Sequence, residues 1–183
     1  MHLALIGLPG SGKSTIARQL ARQWGGRFVD SDHVIEQRIG CSIKDYFAHH
    51  GEAAFRDIES EVLLELLQDS RACILATGGG IVLRQANRHA LKSFSTVFYL
   101  QAQPDEIARR LSKDTTRPLL QGEDPVKRLR ELHRVRAPLY QETAHYVVDA
   151  ARQNMQQVSR KISMQAELAG LMGAKENRAL PDD

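Results

Sequence analysis

Cysteine is scarce: the 183-residue chain carries two, Cys41 and Cys73. They form neither a metal-ligand spacing nor a disulfide framework, which points to a reducing, cytoplasmic setting. Nowhere do 18 apolar residues run together, so no membrane-spanning helix is expected. The chain enters an apolar strand pattern at once, which leaves no room for a cleavable signal peptide. Lysine is also scarce. Of the 25 basic residues, 7 are Lys and 18 are Arg, and Arg is the residue suited to bidentate grip on phosphate and carboxylate. A net charge of +3 is too small to argue for nucleic acid. Neither a nucleic-acid nor a membrane partner is expected. A monomer is expected, because no apolar stripe stands out for a partner.

What is present is led by residues 7–14, Gly-Leu-Pro-Gly-Ser-Gly-Lys-Ser, a full G-x-x-x-x-G-K-[ST] phosphate loop. It follows an apolar run, Leu3–Ile6, and precedes a helical pattern from Thr15 to Gln23. In that context the loop's N–H groups turn toward phosphate oxygens, and the new helix aims its positive end at them. Gly10, Ser11, Gly12, Lys13, Ser14 and Thr15 are therefore expected to hold ATP. Lys13 would reach the β- and γ-phosphates and Ser14 would hold Mg²⁺.

The rest alternates short apolar runs with helical periods. Strands are expected at Arg27–Asp30, Cys73–Ala76, Val97–Leu100 and His145–Val148. Helical patterns run over His33–Arg38, from Ser42 to a stop at Gly51, and over Ala53–Leu67. Further ones cover Asn87–Ser93, Pro104–Ser112, Lys127–Arg136 and Gln153–Ala169. Near-continuous apolar strands between helices indicate an α/β fold with a parallel sheet covered on both faces. Residues 1–172 read as one domain, with a substrate-binding segment at about 32–62 and 173–183 as a flexible tail.

Chemistry-bearing residues cluster after the strands. Asp30 and Asp32 end the second strand, and alternate residues on an extended chain share a side. The third strand ends without an acid, so Asp30 is the candidate for holding Mg²⁺ through water. Asp32 is the candidate for orienting, or also deprotonating, an acceptor hydroxyl. Arg56 begins an amphipathic helix with Glu59 three residues on to hold its guanidinium. Gly78, Gly79 and Gly80 follow a buried strand and suit a substrate touching main chain. The segment 112–125 reads as a mobile lid carrying Arg117, whose closure would bring a cation and exclude water. Arg136 could turn back as a second anion clamp. Two such arginines suit a carboxylate or a second phosphate equally.

In series these motifs resemble the shikimate kinase family. They are the phosphate loop, Asp30-Ser31-Asp32, Phe55-Arg56-Asp57-Ile58-Glu59, Thr77-Gly78-Gly79-Gly80, Arg117-Pro118-Leu119-Leu120 and Arg136-Ala137-Pro138-Leu139-Tyr140. The resemblance covers about residues 3–150. It implies the three-layer P-loop kinase fold, with five parallel strands in the order 2-3-1-4-5 and a mobile lid. It implies transfer of the ATP γ-phosphate to the 3-hydroxyl of shikimate, the fifth step of the chorismate pathway. It also implies site roles: Asp32 on the shikimate hydroxyls, Arg56 and Arg136 on its carboxylate, and Gly79 and Gly80 lining its site. Arg117 acts from the lid, Arg110 lies beside the adenine, and a further adenine arginine falls near Arg152. The nearest rivals are kinases of the same architecture acting on gluconate or a nucleoside monophosphate. A nucleotide-dependent switch would have no use for Asp32 and two convergent arginines.

Overall fold

The computed structural model describes residues 2–112, 124–151 and 153–171. Arg117, Arg152, most of the expected lid and the expected tail lie outside the described residues. Five strands form one sheet: β1 (His2–Ile6), β2 (Arg27–Asp30), β3 (Cys73–Ala76), β4 (Ser95–Gln101) and β5 (Tyr146–Asp149). They lie in the order β2-β3-β1-β4-β5, the order implied by the resemblance. Every pairing is parallel, with Leu3 opposite Ile74 and Thr96, and Phe28 opposite Ile74. The central strand β1 is buried at every position, as a strand covered on both faces must be.

Among the described residues, seven helices surround the sheet: α1 (Lys13–Trp24), α2 (Ser31–Ile39), α3 (Ile43–Gln68), α4 (Gln85–Phe94), α5 (Pro104–Ser112), α6 (Pro125–Thr143) and α7 (Met155–Leu168). Helix α1 buries Ile16, Ala17, Leu20 and Ala21, one face at helical spacing. It packs on β2 and β3 and is backed by α7, while α4 and α6 contact β4. All strands point the same way, so their C-terminal ends share one rim, the place where open α/β sheets bind ligands.

Several boundaries differ from the sequence reading for identifiable reasons. Helix α2 begins at Ser31, not His33, because Asp30 caps it: its side chain accepts from the Asp32 N–H. Asp32 therefore sits in the first helical turn, and the alternation argument for its direction does not apply. Gly51 does break a helix. Its φ of 79° and ψ of 175° interrupt α3, and a new helical segment continues to Gln68. Helix α6 runs through Pro138 to Thr143, past the expected end at Arg136. Helix α7 starts two residues late because Asn154 and Gln157 make a reciprocal capping box. A 3-10 turn at Ile81–Leu83 was absent from the periodicity, which three residues cannot carry. None of the helices among the described residues is long and apolar enough to cross a membrane.

Candidate active site

The phosphate loop leaves β1 and enters α1 through Gly12, which adopts a left-handed φ of 96°. Ser11 N–H donates to the Leu8 carbonyl at 3.2 Å and tightens the loop. The Lys13 side chain folds back over it, its Nζ donating to the carbonyls of Gly7 at 2.9 Å and Leu8 at 2.8 Å. Lys13 is 7% exposed. Burial pulls its pKa down to about 8, opposed by the nearby charges of Asp32 and Asp30. It is a cation at neutral pH, held by main chain and poised at the loop.

Asp30 has two separate partners. One oxygen, Oδ1, accepts from the Asp32 N–H at 3.1 Å. The other, Oδ2, accepts from the Ser14 hydroxyl at 2.6 Å. The helix cap and the phosphate helix are thus joined by one carboxylate. This Ser14–Asp30 pair is an all-oxygen donor set, which suits a hard divalent cation such as Mg²⁺. Among the described residues, no group of three or more His, Cys, Asp or Glu side chains could hold a metal. A cation here would therefore rely on phosphate oxygens and water for its remaining ligands.

Asp32 is different. Burial raises its pKa to about 6, the neighbouring Asp30 pushes the same way, and the Lys13 cation opposes them. Glu59 of α3 also raises it, and the two carboxylates close on Gly78, where a Cβ would lie 2.6 Å from Asp32 Oδ1 and 3.3 Å from Glu59 Oε1. That coupling joins the donor half of the site to the acceptor half. A carboxyl group tuned toward neutrality beside a phosphate loop is a functional-site signature.

The acceptor half rests on Arg56. Its Nη1 donates to Glu59 Oε2 at 2.7 Å, and its Nη2 lies 3.1 Å from Glu52 Oε1. The Arg56 side chain is 11% exposed and that of Glu59 is 2% exposed. The guanidinium lies 5.2 Å from the centre of the Phe55 ring and 5.8 Å from that of Phe47. Two carboxylates and two rings fix the fork, with Nε and Nη2 both donating to Glu52 and Nη1 to Glu59. Glu59 was legible as the holder of Arg56. Glu52, four residues before Arg56 on the same helical segment, was legible by the same spacing, whereas Phe47 was not, because it lies across the break at Gly51. Arg136 on α6 is half-buried, and its charge bears on Lys13 and on Glu59. The site thus gathers Lys13, Asp32, Arg56, Glu59 and Arg136 from four separated stretches of sequence.

The glycine triplet needs a corrected explanation. None of Gly78, Gly79 and Gly80 has a positive φ, so backbone freedom is not the reason for them. Close approach by the site's own side chains is. A Cβ on Gly78 would lie 2.6 Å from Asp32 Oδ1, and one on Gly79 would lie 2.8 Å from Pro9 Cδ. A Cβ on Gly80 would overlap the Arg56 guanidinium. The Gly78 N–H is also taken: it donates to Ser31 Oγ at 3.1 Å. A role for Gly78 in donating to substrate is therefore withdrawn, and it acts as the space that admits Asp32.

On the far side of the phosphate loop, Arg110 Nη2 donates to the carbonyls of Ala150 at 3.0 Å and Gln153 at 3.3 Å. It braces the turn between β5 and α7. Its other terminal nitrogen, Nη1, is buried without a hydrogen-bond partner, a donor left for a ligand.

Comparison with known proteins agrees with this geometry. The family described as shikimate kinase matches residues 9–167. A shikimate kinase from Paracidovorax citrulli is 55% identical over 173 residues, covering 93% of this chain and 94% of the relative. One from Burkholderia lata is 46% identical, covering 93% and 92%. Among solved structures, shikimate kinase from Acinetobacter baumannii in complex with shikimate superposes with a TM-score of 0.83 at 39% identity, covering 92% of this chain and 93% of that one. A gluconokinase from Sinorhizobium meliloti reaches a TM-score of 0.55 at 13% identity, with 94% of this chain and 97% of that one covered. That likeness is one of fold alone. The chain belongs to the shikimate kinase family.

Proposed function

We propose that this protein transfers the γ-phosphoryl group of ATP to the 3-hydroxyl of shikimate, giving shikimate 3-phosphate and ADP, the fifth step of chorismate biosynthesis. One observation carries the reading: the Asp32 and Glu59 carboxylates meet at Gly78, 2.6 Å and 3.3 Å from where a Cβ would sit, so the phosphate-loop half and the Arg56 clamp half adjoin there. A hydroxyl between those two halves would meet a donor phosphate and an anion grip together.

On the donor side, Gly10, Ser11, Gly12, Lys13, Ser14 and Thr15 cradle the triphosphate, and Lys13 steadies the β- and γ-phosphates. Arg110 and Arg152 flank the adenine. Ser14 and Asp30, the latter through water, would hold Mg²⁺. That ion would offset phosphate charge. On the acceptor side, Arg56 and Arg136 grip the carboxylate of shikimate, and Gly79 and Gly80 line its ring. Asp32 orients the 3-hydroxyl and accepts its proton as the new P–O bond forms and the bond to the ADP oxygen breaks. Arg117 adds a cation on the transferring phosphoryl group and helps exclude water, which keeps ATP from hydrolysis. The chain acts as a cytoplasmic monomer. Its exposed large apolar side chains are Leu64, Phe94, Val135, Val147, Met164 and Leu168, spread over five elements.

The test is ADP release with shikimate, gluconate and AMP supplied separately. Release with shikimate alone supports the reading. Release with gluconate or AMP and not with shikimate overturns it, and release without any acceptor favours a nucleotide switch.

A further inference from the structure

Tyr140 carries no role in the mechanism above, yet it touches the acceptor half from below. It lies on α6 one turn after Arg136 and is fully buried. Its hydroxyl donates to the Gly79 carbonyl at 2.5 Å. Its ring packs on Tyr99 with centroids 5.1 Å apart and planes inclined by 30°. Burial pushes the phenol well above its ordinary pKa, with the Arg136 cation, which also hydrogen-bonds the phenol oxygen, pulling the other way. The hydroxyl is therefore a permanent donor at any working pH.

The Gly79 carbonyl and the Gly80 N–H belong to one planar trans peptide, so they point in opposite directions. Fixing the carbonyl fixes the N–H. Two consecutive glycines have no Cβ to hold that plane, and rotation about it is otherwise cheap. A Cβ site on Gly79 faces the Pro9 ring at 2.8 Å, so the phosphate loop backs this residue. Among the described residues, no protein acceptor takes the Gly80 N–H. A carbonyl that accepts a hydrogen bond also polarises the N–H across its peptide.

We infer that Tyr140 is a positioning residue for the acceptor: by holding the Gly79 carbonyl it aims the Gly80 N–H into the substrate pocket. The helix that carries the Arg136 clamp thereby sets the main-chain donor as well, so both acceptor contacts move as one unit. The inference rests on the reading that shikimate occupies this pocket.

The test compares Tyr140→Phe with Tyr99→Phe. The first keeps the ring and loses the donor. The second removes a buried hydroxyl that has no hydrogen-bond partner. Losing one positioned donor predicts a shikimate KM raised about three- to tenfold in Tyr140→Phe. The ATP KM should stay within about twofold, and Tyr99→Phe should leave both constants within the same margin. An unchanged shikimate KM in Tyr140→Phe overturns the inference. So do equal rises for both substrates, which mark general distortion. If the wild type itself releases no ADP with shikimate, the functional reading fails first, and that result is visible before any variant is made. Should Tyr140→Phe not fold, 4-fluorophenylalanine and 4-aminophenylalanine at position 140 replace it: both keep the ring, and only the amino group can donate to the Gly79 carbonyl. At one pH, the shikimate KM must then be higher with the fluoro than with the amino side chain, while the ATP KM is the same for both. Equal shikimate KM values for the two overturn the inference.

Discussion

Two aspartates at opposite ends of the sheet hold their protons in opposite ways. Asp69 sits at the N-terminal end of β3 and binds Arg27 at 2.6 Å and Arg71 at 3.1 Å. Hydrogen bonds from Arg71, then from Arg27, hold its carboxyl well below the usual range. Asp32 sits at the C-terminal rim, where burial and Asp30 lift it to about 6. The same side chain is satisfied at one end and kept short of partners at the other. A charge paired in full view of solvent has no chemistry left to do. One that is buried and partly compensated can exchange a proton near neutral pH.

The difference has opposite signs in stability. The raised Asp32 pKa contributes stability that is complete below about pH 4 and is lost as pH rises through about 6. The depressed Asp69 pKa contributes stability that is present above about pH 4 and is lost as pH falls. At neutral pH Asp32 is thus in the range where it stabilises the fold least.

Substitutions can break this contrast, starting with the donor cation that opposes the rise at Asp32. Lys13→Ala removes it, and kcat should fall about a thousandfold or more with the fold retained. Steady-state rates and a melting curve check this, and near-wild-type turnover would refute the loop assignment. Asp32→Asn should lower kcat by about a hundred- to ten-thousandfold with nucleotide affinity little changed. In the wild type, kcat/KM should rise with pH through about 6, and the substitution should erase that acid limb. If ATP binding alone weakens, Asp32 serves the metal instead. Arg136→Ala should raise the shikimate KM by about ten- to a hundredfold, the worth of a charged hydrogen-bond pair. Gly80→Ala should fold normally, because the atoms in its way are the far end of Arg56. Its shikimate KM should rise about threefold or more as the guanidinium is displaced from Glu59. Asp69→Asn is the smallest case: kcat and both KM values should stay within about twofold, since exposed ion pairs contribute little.

The two halves of the site also differ in how far the sequence reveals them. The donor half is local. Residues 7–15 are contiguous, their motif encodes a backbone shape, and the strand and helix around it show in periodicity. The five strands were likewise found to within a few residues, because each is short, apolar and bounded by turns. The acceptor half is assembled from Asp30–Asp32, Glu52–Glu59, Gly78–Gly80 and Arg136–Tyr140, and no single stretch states its purpose. Spacing did point to Glu59 under Arg56, because i,i+3 neighbours share a helix face. It did not show that Phe47 joins across the Gly51 break, or that Ser31 occupies the Gly78 N–H. The glycines were legible as a place of close approach, but the approaching atoms belong to Asp32, Pro9 and Arg56. Tyr140 was visible in principle, one helical turn after Arg136. Its role depends on the helix continuing through Pro138, where a proline normally argues for a stop.

The central claim is that the acceptor half is a carboxylate clamp. Comparing kcat/KM of the wild-type enzyme for shikimate and for its methyl ester tests it most directly. The ester keeps every hydroxyl and loses only the charge that Arg56 and Arg136 are held to receive. A fall of about a hundredfold or more is predicted, with the ATP KM unchanged. Equal kcat/KM for the acid and the ester would contradict the account.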